Sequence, residues 1–465
     1  MSVTSSRNRD VLASLALLAC VAAIAGDDPA PAADLAMRRT AAQQTFLRLA
    51  DEGRLEEATA IGEQVLAMTT ELYGAEGVER VRPLTNLGTI QLRRGNDAAA
   101  EQHFREAIDV AERAAGIGSE RLVKPLIGLG DALARRQQFS DAALAFERAL
   151  TLSHAANGFY DSDQLRVLDG LSEVQLGLDN LERANDYQEA QLGIAERHAA
   201  EDPDGPIEAR MKLGRWYNRT GQPLLARSAF QSARSSIRRL KGKDHPDSVD
   251  ALLGEAESYR REAALPAASV TLRRALTILD AQAVRDHLKR AEVLLASGDL
   301  NISAQFASSA QKAYEAAWVE LSGDSALQAT REEWFSRPVR IAGPNLARVV
   351  NEEGVPIERR STTASGTQPG QVSASFTVTA AGRAADIVIL ESDPPGLMDK
   401  SMRRLLAFSV WRPRLVDGKI VATENHLLQH EFRYPRPAPA PTTDEGPDAG
   451  ETGGRIANPT EAGEP

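Results

Sequence analysis

Alanine and large apolar residues recur at a fixed spacing over the first two thirds of the chain. Four positions after an alanine stands a large apolar residue, as in Ala100 and Phe104, and three positions further on stands a second alanine. Offsets of four and seven residues place side chains on one stripe of a helix. The pattern repeats every 42 residues, and its leading alanines are Ala58, Ala100, Ala142, Ala184, Ala226 and Ala268.

A second stripe precedes each of these helices. Twelve positions before the leading alanine stands a small residue that follows a leucine, and polar turns such as 94–97 and 220–223 separate the two segments. Each repeat is therefore predicted to be a helical hairpin, in which small residues let the helices cross closely. Because a single hairpin cannot bury its apolar face, we expect the hairpins to stack into a solenoid. The small residues are Gly88, Gly130, Ser172 and Gly214.

This spacing resembles the tetratricopeptide repeat (TPR) family, in the 42-residue form known from kinesin light chains. Asp244, His245 and Pro246 resemble the loop that is typical of that form. The resemblance covers about residues 41–280 and implies a right-handed stack of two-helix units.

Two parts of the array depart from the pattern. In repeat four, Gln188 and Gln191 stand where other repeats have phenylalanine and alanine, so we expect looser packing there. A shorter seventh hairpin, between Val293 and Trp318, is expected to cap the array. The predicted solenoid then extends over 41–322.

The resemblance implies that the first helix of each hairpin lines a concave groove that holds peptide segments. The family's groove positions carry over to residues of mixed charge, without the Lys/Asn pattern of members that clamp a terminal carboxylate. The candidate partner-binding residues are Arg82, Thr89, Lys124, Asp131, Arg166, Asp169, Arg215 and Asn218. The remaining groove positions are Thr85, Ile127, Glu173 and Met211.

Arginines also recur at one phase of the repeat, near the end of the first helix. A ladder of this kind is one interpretation of a binding surface. We prefer another, in which each cation stabilises the end of a helix through its dipole, by about 0.3–1 kcal/mol. The arginines are Arg93, Arg135, Arg219 and Arg261.

The pattern changes from helical to alternating near residue 335. Apolar residues alternate with serine and threonine over 372–379, which predicts a half-buried strand. An apolar run over 387–390 predicts a more buried strand. A helix capped by aspartate is predicted over 399–408, and the Asp-Gly pair at 417–418 predicts a hairpin turn.

This stretch resembles the C-terminal domain of the TonB energy-transducer family. The match rests on FTVTAAGRAADIVILESDPPGLMD over 376–399 and on WRPRLVDGK over 411–419. The resemblance implies a small α+β domain over 335–434 that grips a peptide from outer-membrane receptors at its sheet edge. Energy transducers have a retained membrane helix, often with a functional histidine, and a Pro-rich spacer. Because this chain has a leader without histidine and a solenoid instead of the spacer, we expect the fold and not energy coupling.

The N-terminus has the pattern of a secretory signal peptide over 1–25. Arg7 and Arg9 precede an apolar run that ends in the A-x-A site at 23–25. This run of about 15 residues is short for a membrane span, which needs about 20. Two alternatives stay open. Cys20, in a segment that resembles a bacterial lipobox, would be lipidated, or the leader would be retained as an anchor.

Composition excludes several classes of protein. The net charge of −11 argues against a general nucleic-acid binder, because phosphate binding depends on excess lysine and arginine. A single cysteine excludes a disulfide framework and a Cys-based zinc site. No zincin, Walker, nucleophile-elbow or dinucleotide motif is present. His426 and His430, on one face of a predicted strand, are interpreted as ordinary exposed side chains, so no catalytic residue, metal or cofactor is predicted.

The predicted protein is mostly helical. In chain order it comprises a signal peptide (1–25), a linker (26–40), a TPR solenoid (41–322), a TonB-like domain (335–434) and a disordered tail (435–465). We interpret it as a non-enzymatic periplasmic adaptor whose partners are proteins or peptides, including outer-membrane or envelope proteins. It would contact a membrane only through a retained or lipidated leader. The alternative is an atypical energy transducer with a retained anchor, and a third is an unrecognised hydrolase.

Overall fold

The computed structural model of the protein describes residues 29–347, 350–356 and 367–435. The predicted signal peptide with Cys20, and residues 436–465 of the predicted tail, lie outside these ranges. The described residues contain sixteen helices, and the fold is mostly helical with a small strand-containing region near the C-terminus. None of the helices described is both long and apolar enough to cross a lipid bilayer.

The first fourteen helices form seven helix–turn–helix hairpins, whose two members pack against each other. We number the hairpins as repeats one to seven. The hairpins pair α1 (Pro29–Asp51) with α2 (Leu55–Tyr73), α3 (Val81–Arg93) with α4 (Asp97–Ala115), α5 (Val123–Arg135) with α6 (Phe139–Asn157), α7 (Leu165–Gly177) with α8 (Leu181–Arg197), α9 (Gly205–Arg219) with α10 (Pro223–Lys241), α11 (Ser248–Arg261) with α12 (Leu265–Asp280), and α13 (His287–Ser303) with α14 (Ala307–Ser322).

The turn inside each hairpin places one residue in the left-handed backbone region. In repeat two, Gly95 has a φ of 79°, and the N–H of Asn96 donates to the carbonyl of Gln91 at 2.9 Å. This bond satisfies a carbonyl that the end of the helix leaves free. The left-handed turn residues recur every 42 positions, at Gly53, Gly95, Gln137, Asp179, Gly221, Ala263 and Gln305.

Phenylalanines from the second helices fill the space between successive repeats. Phe104 is fully buried between Gly88 of its own repeat and Gly128 of the next repeat. A Cβ atom on Gly128 would lie 2.3 Å from the Phe104 ring, so no larger residue fits there without a shift. Phe146 and Phe230 occupy equivalent sites. The 42-residue stripe predicted from the sequence is therefore the packing core of the array.

The array begins earlier than predicted. Helix α1 covers 29–51, where the sequence analysis placed a linker over 26–40, so the linker prediction is wrong for 29–40. Alanine-rich segments are good helix formers. Helix α1 is the first helix of repeat one, and its buried Phe46 and Leu49 belong to one apolar cluster with Ala58.

The seventh hairpin is a full repeat and not a shorter cap, which corrects the prediction. Ala310 continues the 42-residue series, Tyr314 stands where other repeats have phenylalanine, and Ala317 follows in phase. All three are fully buried. Gly298 faces Tyr314 as Gly88 faces Phe104. The other repeats were recognised by a phenylalanine or leucine four residues after the leading alanine. Because repeat seven has tyrosine there, the sequence pattern did not reveal it.

The strands follow a short helix, α15 (Gln328–Phe335). Strand β1 pairs with β4 in antiparallel fashion, β5 pairs with β6 in a hairpin, and a three-stranded sheet has the order β3-β2-β7. Asp417 and Gly418 have positive φ in the β5–β6 turn, as the Asp-Gly signal predicts. The elements are β1 (Val339–Ala342), β2 (Thr367–Val378), β3 (Ala384–Asp393), α16 (Asp399–Phe408), β4 (Val410–Arg412), β5 (Arg414–Val416), β6 (Lys419–Val421) and β7 (Thr423–Pro435).

The chain divides into two compact units that do not follow chain order. The first unit contains the helical array through Gly343, together with Thr377–Ala385 and Ala407–His426. The second unit contains Pro344–Phe376, Asp386–Leu406 and the residues from Leu427 onward. The strands of the predicted 335–434 domain are thus distributed over both units.

In the first unit, the short strands pack against repeat seven. Val410 and Leu415 join the buried cluster that contains Tyr314 and Phe335. The Arg412 guanidinium donates to both carboxylate oxygens of Asp299 on α13, at 2.7 and 2.9 Å. The end of the array is therefore covered by these strands together with the short helix α15.

In the second unit, α16 contributes buried Met402, Leu405 and Leu406. Strand β2 alternates between buried and half-buried residues, as predicted for 372–379. Strand β3 differs from its prediction as a buried strand, because the side chains of Val388 and Leu390 are 54% and 57% exposed. The physical reason is its place at one edge of the sheet.

Candidate partner-binding face

Successive first helices contact one another along most of the array. Ion pairs between residues about one repeat apart link them at this surface. We call the surface of α3, α5, α7, α9, α11 and α13 that carries these pairs the first-helix face. The pairs join Arg166 to Asp131 at 2.6 Å, Lys212 to Asp169 at 2.6 Å and Lys289 to Asp250 at 2.8 Å.

Six of the twelve predicted groove positions are exposed on the first helices, namely Arg82, Thr89, Lys124, Arg166, Glu173 and Arg215. The cations Arg82, Lys124 and Arg215 form no ion pair or hydrogen bond with any other residue in the described part of the chain. Thr89 is exposed as well, and its hydroxyl donates to the carbonyl of Thr85 at 2.9 Å. These three cations are therefore available to a partner without breaking an internal contact.

Arg166 and Asp131, both predicted groove residues, contact each other. The side chain of Arg166 is 66% exposed and that of Asp131 is 28% exposed. Exposed ion pairs contribute only about 0–1 kcal/mol, so this pair holds two repeats together weakly.

Asp169 is the centre of a polar network between repeats four and five. The amides of Gln188 and Gln191 donate to its Oδ1 at 3.2 and 3.0 Å. The Lys212 ammonium donates to Asp169 Oδ2 at 2.6 Å and to Gln191 Oε1 at 2.7 Å. Both glutamines are buried, so the structure has a hydrogen-bonded network at the place where looser packing was expected.

A paired exchange of residues explains this network. At three other junctions a phenylalanine contacts a glycine of the next repeat, as Phe146 contacts Gly170. At the junction of repeats four and five, Gln188 takes the position of phenylalanine and Lys212 that of glycine. The sequence analysis missed Lys212, although its spacing of 42 residues from Gly170 and Gly254 is a signal for the exchange.

Further polar contacts extend the same junction. Trp216 Nε1 donates to Asn185 Oδ1 at 2.7 Å, and the Tyr217 hydroxyl donates to Glu189 Oε1 at 2.5 Å. Burial and this hydrogen bond raise the pKa of Tyr217. The first helices of repeats four and five also approach each other less than those of repeats five and six. We call this region, from Asp169 to Lys212, the polar junction.

Asn218 lies in a different environment from the other candidate residues. Its side chain is buried, its amide donates to the carbonyl of Gly254 at 3.2 Å, and its Oδ1 accepts from the Ser258 hydroxyl at 3.0 Å. These contacts join repeats five and six. The structure therefore places Asn218 inside the array and away from a partner.

The arginines at the end of the first helices contact neighbouring groups. Arg135 donates to the carbonyl of Leu92 in the last turn of α3 at 2.6 Å, a contact of the kind that the dipole interpretation expects. Arg219 pairs with Glu173, and Arg261 pairs with Glu257 at 2.7 Å. Arg93 is exposed. Most of this ladder is therefore used within the array.

The two histidines near the C-terminus are half-buried, whereas exposed side chains were expected. The His426 ring contacts the Trp411 ring at 5.4 Å between centroids, and burial lowers the pKa of His426. His430 Nε2 donates to the carbonyl of Ala347 at 2.9 Å. In the described part of the chain, no group of three or more His, Cys, Asp or Glu side chains is arranged to hold a metal ion.

Comparison with known proteins identifies the repeats. The family model described as "Tetratricopeptide repeat" matches residues 49–113 and 207–281. These ranges omit repeats three and four almost entirely, and repeat four contains the Gln188 departure. The helical array is thus a TPR-like array.

Solved structures resemble the array in fold. BtubC (BKLC) from P. vanneervenii is 18% identical with a TM-score of 0.38, and the match covers 50% of this chain and 94% of that chain. A putative kinesin light chain from Podosopora anserina is 14% identical with a TM-score of 0.38, covering 44% and 99%. The TPR2AB domain of yeast Sti1, solved in a complex with pHSP90, is 14% identical with a TM-score of 0.25, covering 64% and 96%.

Part of the chain is similar to another protein. Over 88 residues the chain is 39% identical to Protein TonB of Pseudomonas aeruginosa. The match covers 19% of this chain and 22% of that protein, so most of TonB has no counterpart in it.

Proposed function

We propose that this protein is a non-enzymatic adaptor that binds segments of other proteins on its first-helix face. One observation carries the proposal: Arg82 and Lys124 are exposed, have no partner among the described residues, and lie one repeat apart on successive first helices. An extended peptide along this face meets both in turn. Since single exposed ion pairs contribute only about 0–1 kcal/mol, binding would depend on several repeats together.

Site-specific photo-cross-linking in cells tests this adaptor role. A benzophenone amino acid at Thr89, which is exposed on α3, is expected to form adducts with partner proteins. The matched control is Leu144, which is 66% exposed on the second helix α6. Equal adduct formation at both positions, or none at Thr89, would contradict the proposal.

The C-terminal region would supply a second binding surface. The edge strand β3 exposes Val388 and Leu390, and an edge strand can pair with an added peptide strand. The similarity to TonB over 88 residues supports this extension. Replacing Val388 with proline removes one backbone donor of the edge strand β3. We expect this variant to lose capture of an outer-membrane receptor peptide while Leu427→Pro on β7 retains it.

The proposed location is the periplasm, after removal of residues 1–25. Mass spectrometry of the mature N-terminus distinguishes the alternatives. A chain that starts at Gly26 supports the periplasmic adaptor. An intact Met1 region supports an anchored energy transducer, and a lipid on Cys20 supports a lipoprotein.

A further inference from the structure

One position of the first helix changes the sign of its charge along the array. In repeats two to four it is basic, and in repeats five to seven it is acidic. The change falls at the polar junction. The residues, each 42 positions from the next, are Arg82, Lys124 and Arg166, then Glu208, Asp250 and Glu292.

Both the basic and the acidic half of this row retain charge that contacts within the array do not neutralise. Arg82 and Lys124 are exposed without partners in the described part of the chain, and Glu208 is likewise exposed and unpaired there. Asp250 pairs with Lys289 at 2.8 Å but its side chain is still 55% exposed. Along this row the two halves of the array therefore present opposite charges to a partner. Seven positions after Glu208, on the same helix, Arg215 is an exposed cation outside the row.

The neighbouring row of the same face is mixed in repeats two to four and apolar in repeats five to seven. Three positions after the charged residue stand Thr85 in repeat two, Ile127 in repeat three and Asp169 in repeat four. In repeats five to seven this position is Met211, Leu253 and Leu295, all half-buried. In repeats five to seven the charged row thus lies beside partly accessible apolar side chains, whereas in repeats two to four the cations lie beside a mixed row.

We propose that the first-helix face selects an extended polypeptide segment with separated charges. The acidic part of the segment lies on repeats two and three, and a basic, apolar part lies on repeats five and six. This inference rests on the proposed function and adds the chemistry of the partner. Neighbouring first helices lie about 10 Å apart, so the three repeat steps from Arg82 to Glu208 span about 30 Å. An extended chain covers that distance in about nine residues.

Two fluorescent peptides of identical composition test the charge order. One carries a Glu-rich cluster and a Lys/Leu cluster centred nine residues apart, and the other mixes the same residues evenly. With the full chain, fluorescence anisotropy is expected to show about tenfold tighter binding of the segregated peptide. The difference is expected to shrink at high salt.

Reversing the charges of Arg82 and Lys124 tests the basic half of the row. Arg82→Glu with Lys124→Glu is expected to lower affinity for the segregated peptide about tenfold. The control is Arg238→Glu with Arg239→Glu, which makes the same change in net charge at exposed positions of the second helix α10. This control is expected to leave affinity within about twofold, and circular dichroism checks that each variant is folded.

Cross-linking from the peptide ends shows where each half lies. A benzophenone at the acidic end is expected to react within 81–135, and one at the basic end within 205–261. Equal affinity for both peptides, with cross-links scattered over the face, would overturn the charge order but leave the adaptor role intact. Failure of both peptides to bind also overturns the charge order, while the Thr89 adducts decide the adaptor role separately.

Discussion

Glu320 shows how much of this array depends on single buried charges. Its carboxylate is 5% exposed and accepts hydrogen bonds from Arg285, Arg290 and His287, with the Arg290 Nε–Oε1 and His287 Nδ1–Oε2 distances at 3.0 and 2.9 Å. Burial alone would raise the pKa of Glu320, but the three donors outweigh burial and lower it to about 2. This group anchors the end of α14 against α13 and the segment before it.

The pH dependence of stability follows from Glu320. Its folded pKa lies below its unfolded value near 4.5, so its contribution is complete above pH 4.5 and is lost as the pH falls toward 2. We expect Glu320→Gln to lower the free energy of unfolding by about 2 kcal/mol at pH 7, and by less at pH 3. Urea unfolding at both pH values measures this.

The control for this experiment is Glu147→Gln. Glu147 forms an exposed pair with Arg183 at 2.8 Å, so its substitution should change stability by less than about 1 kcal/mol at either pH. A Glu320→Gln effect that is equally large at pH 3 and pH 7 would contradict the assigned role.

Gln188 and Lys212 together replace a Phe–Gly pair, so their effects on stability are expected to be coupled. Gln188→Phe alone places a ring against Lys212, whereas the three junctions that contain a phenylalanine have glycine at this position. We expect the variant to destabilise the protein by about 1–3 kcal/mol. Adding Lys212→Gly recreates the Phe–Gly contact of those three junctions, so the double variant should be more stable than the sum of the single effects by at least about 1 kcal/mol. Chemical denaturation of the four proteins measures this coupling, and strict additivity would contradict it.

At the level of elements, the strands that cover repeat seven are held by one buried ion pair. The side chains of Arg412 and Asp299 are 11% and 17% exposed, and the Tyr314 hydroxyl also donates to Asp299 at 2.9 Å. Removing one partner from such a pair leaves an uncompensated charge. Strand β4 and helix α13 are therefore expected to unfold together.

A double-mutant cycle tests the pair. Arg412→Ala is expected to lower the free energy of unfolding by about 3 kcal/mol, and the cycle with Asp299→Ala should give a coupling of at least about 1.5 kcal/mol. The exposed pair of Arg183 and Glu147 is the reference, with an expected coupling below about 1 kcal/mol. Equal couplings in both cycles would show that β4 is not fastened through Asp299.

Sequence patterns predicted the repeating elements well because each hairpin is encoded by the same few positions. Ala100, Phe104 and the glycines that face the ring define a local packing rule. The C-terminal strands were harder to interpret, since exposure of Val388 depends on which strand lies at the sheet edge. The burial of Asn218 also could not be predicted, because its partners Gly254 and Ser258 lie about 40 residues away.

At the scale of the first unit, the boundary between two apolar clusters of the array falls within repeat four. One cluster ends at Val174, and the next contains Ala184 of repeat four and Trp216 of repeat five. Segments held by few apolar contacts open at lower free energy than the surrounding structure. Repeats four and five are therefore expected to be the weakest point of the array.

Hydrogen exchange measured by mass spectrometry tests this expectation. Amides of α8 (181–197) should exchange faster than those of α6 (139–157), whose Phe146 and Ala149 are buried in an apolar cluster. Both are second helices of similar length, which makes α6 a suitable reference. Equal protection in the two helices would contradict the expectation.

The polar junction also gives the repeats a fixed order. Three of the six junctions pack a phenylalanine against a glycine, so blocks of 42 residues could be exchanged at those junctions without changing the shape of the contact. The buried glutamines of repeat four need a following repeat that has a lysine at the position of Lys212. In this chain Lys212 donates hydrogen bonds to Asp169 and Gln191. Shuffling the blocks would thus leave one amide pair and one ammonium without partners. Any descendant of this chain that gains or loses a block is expected to keep repeats four and five adjacent.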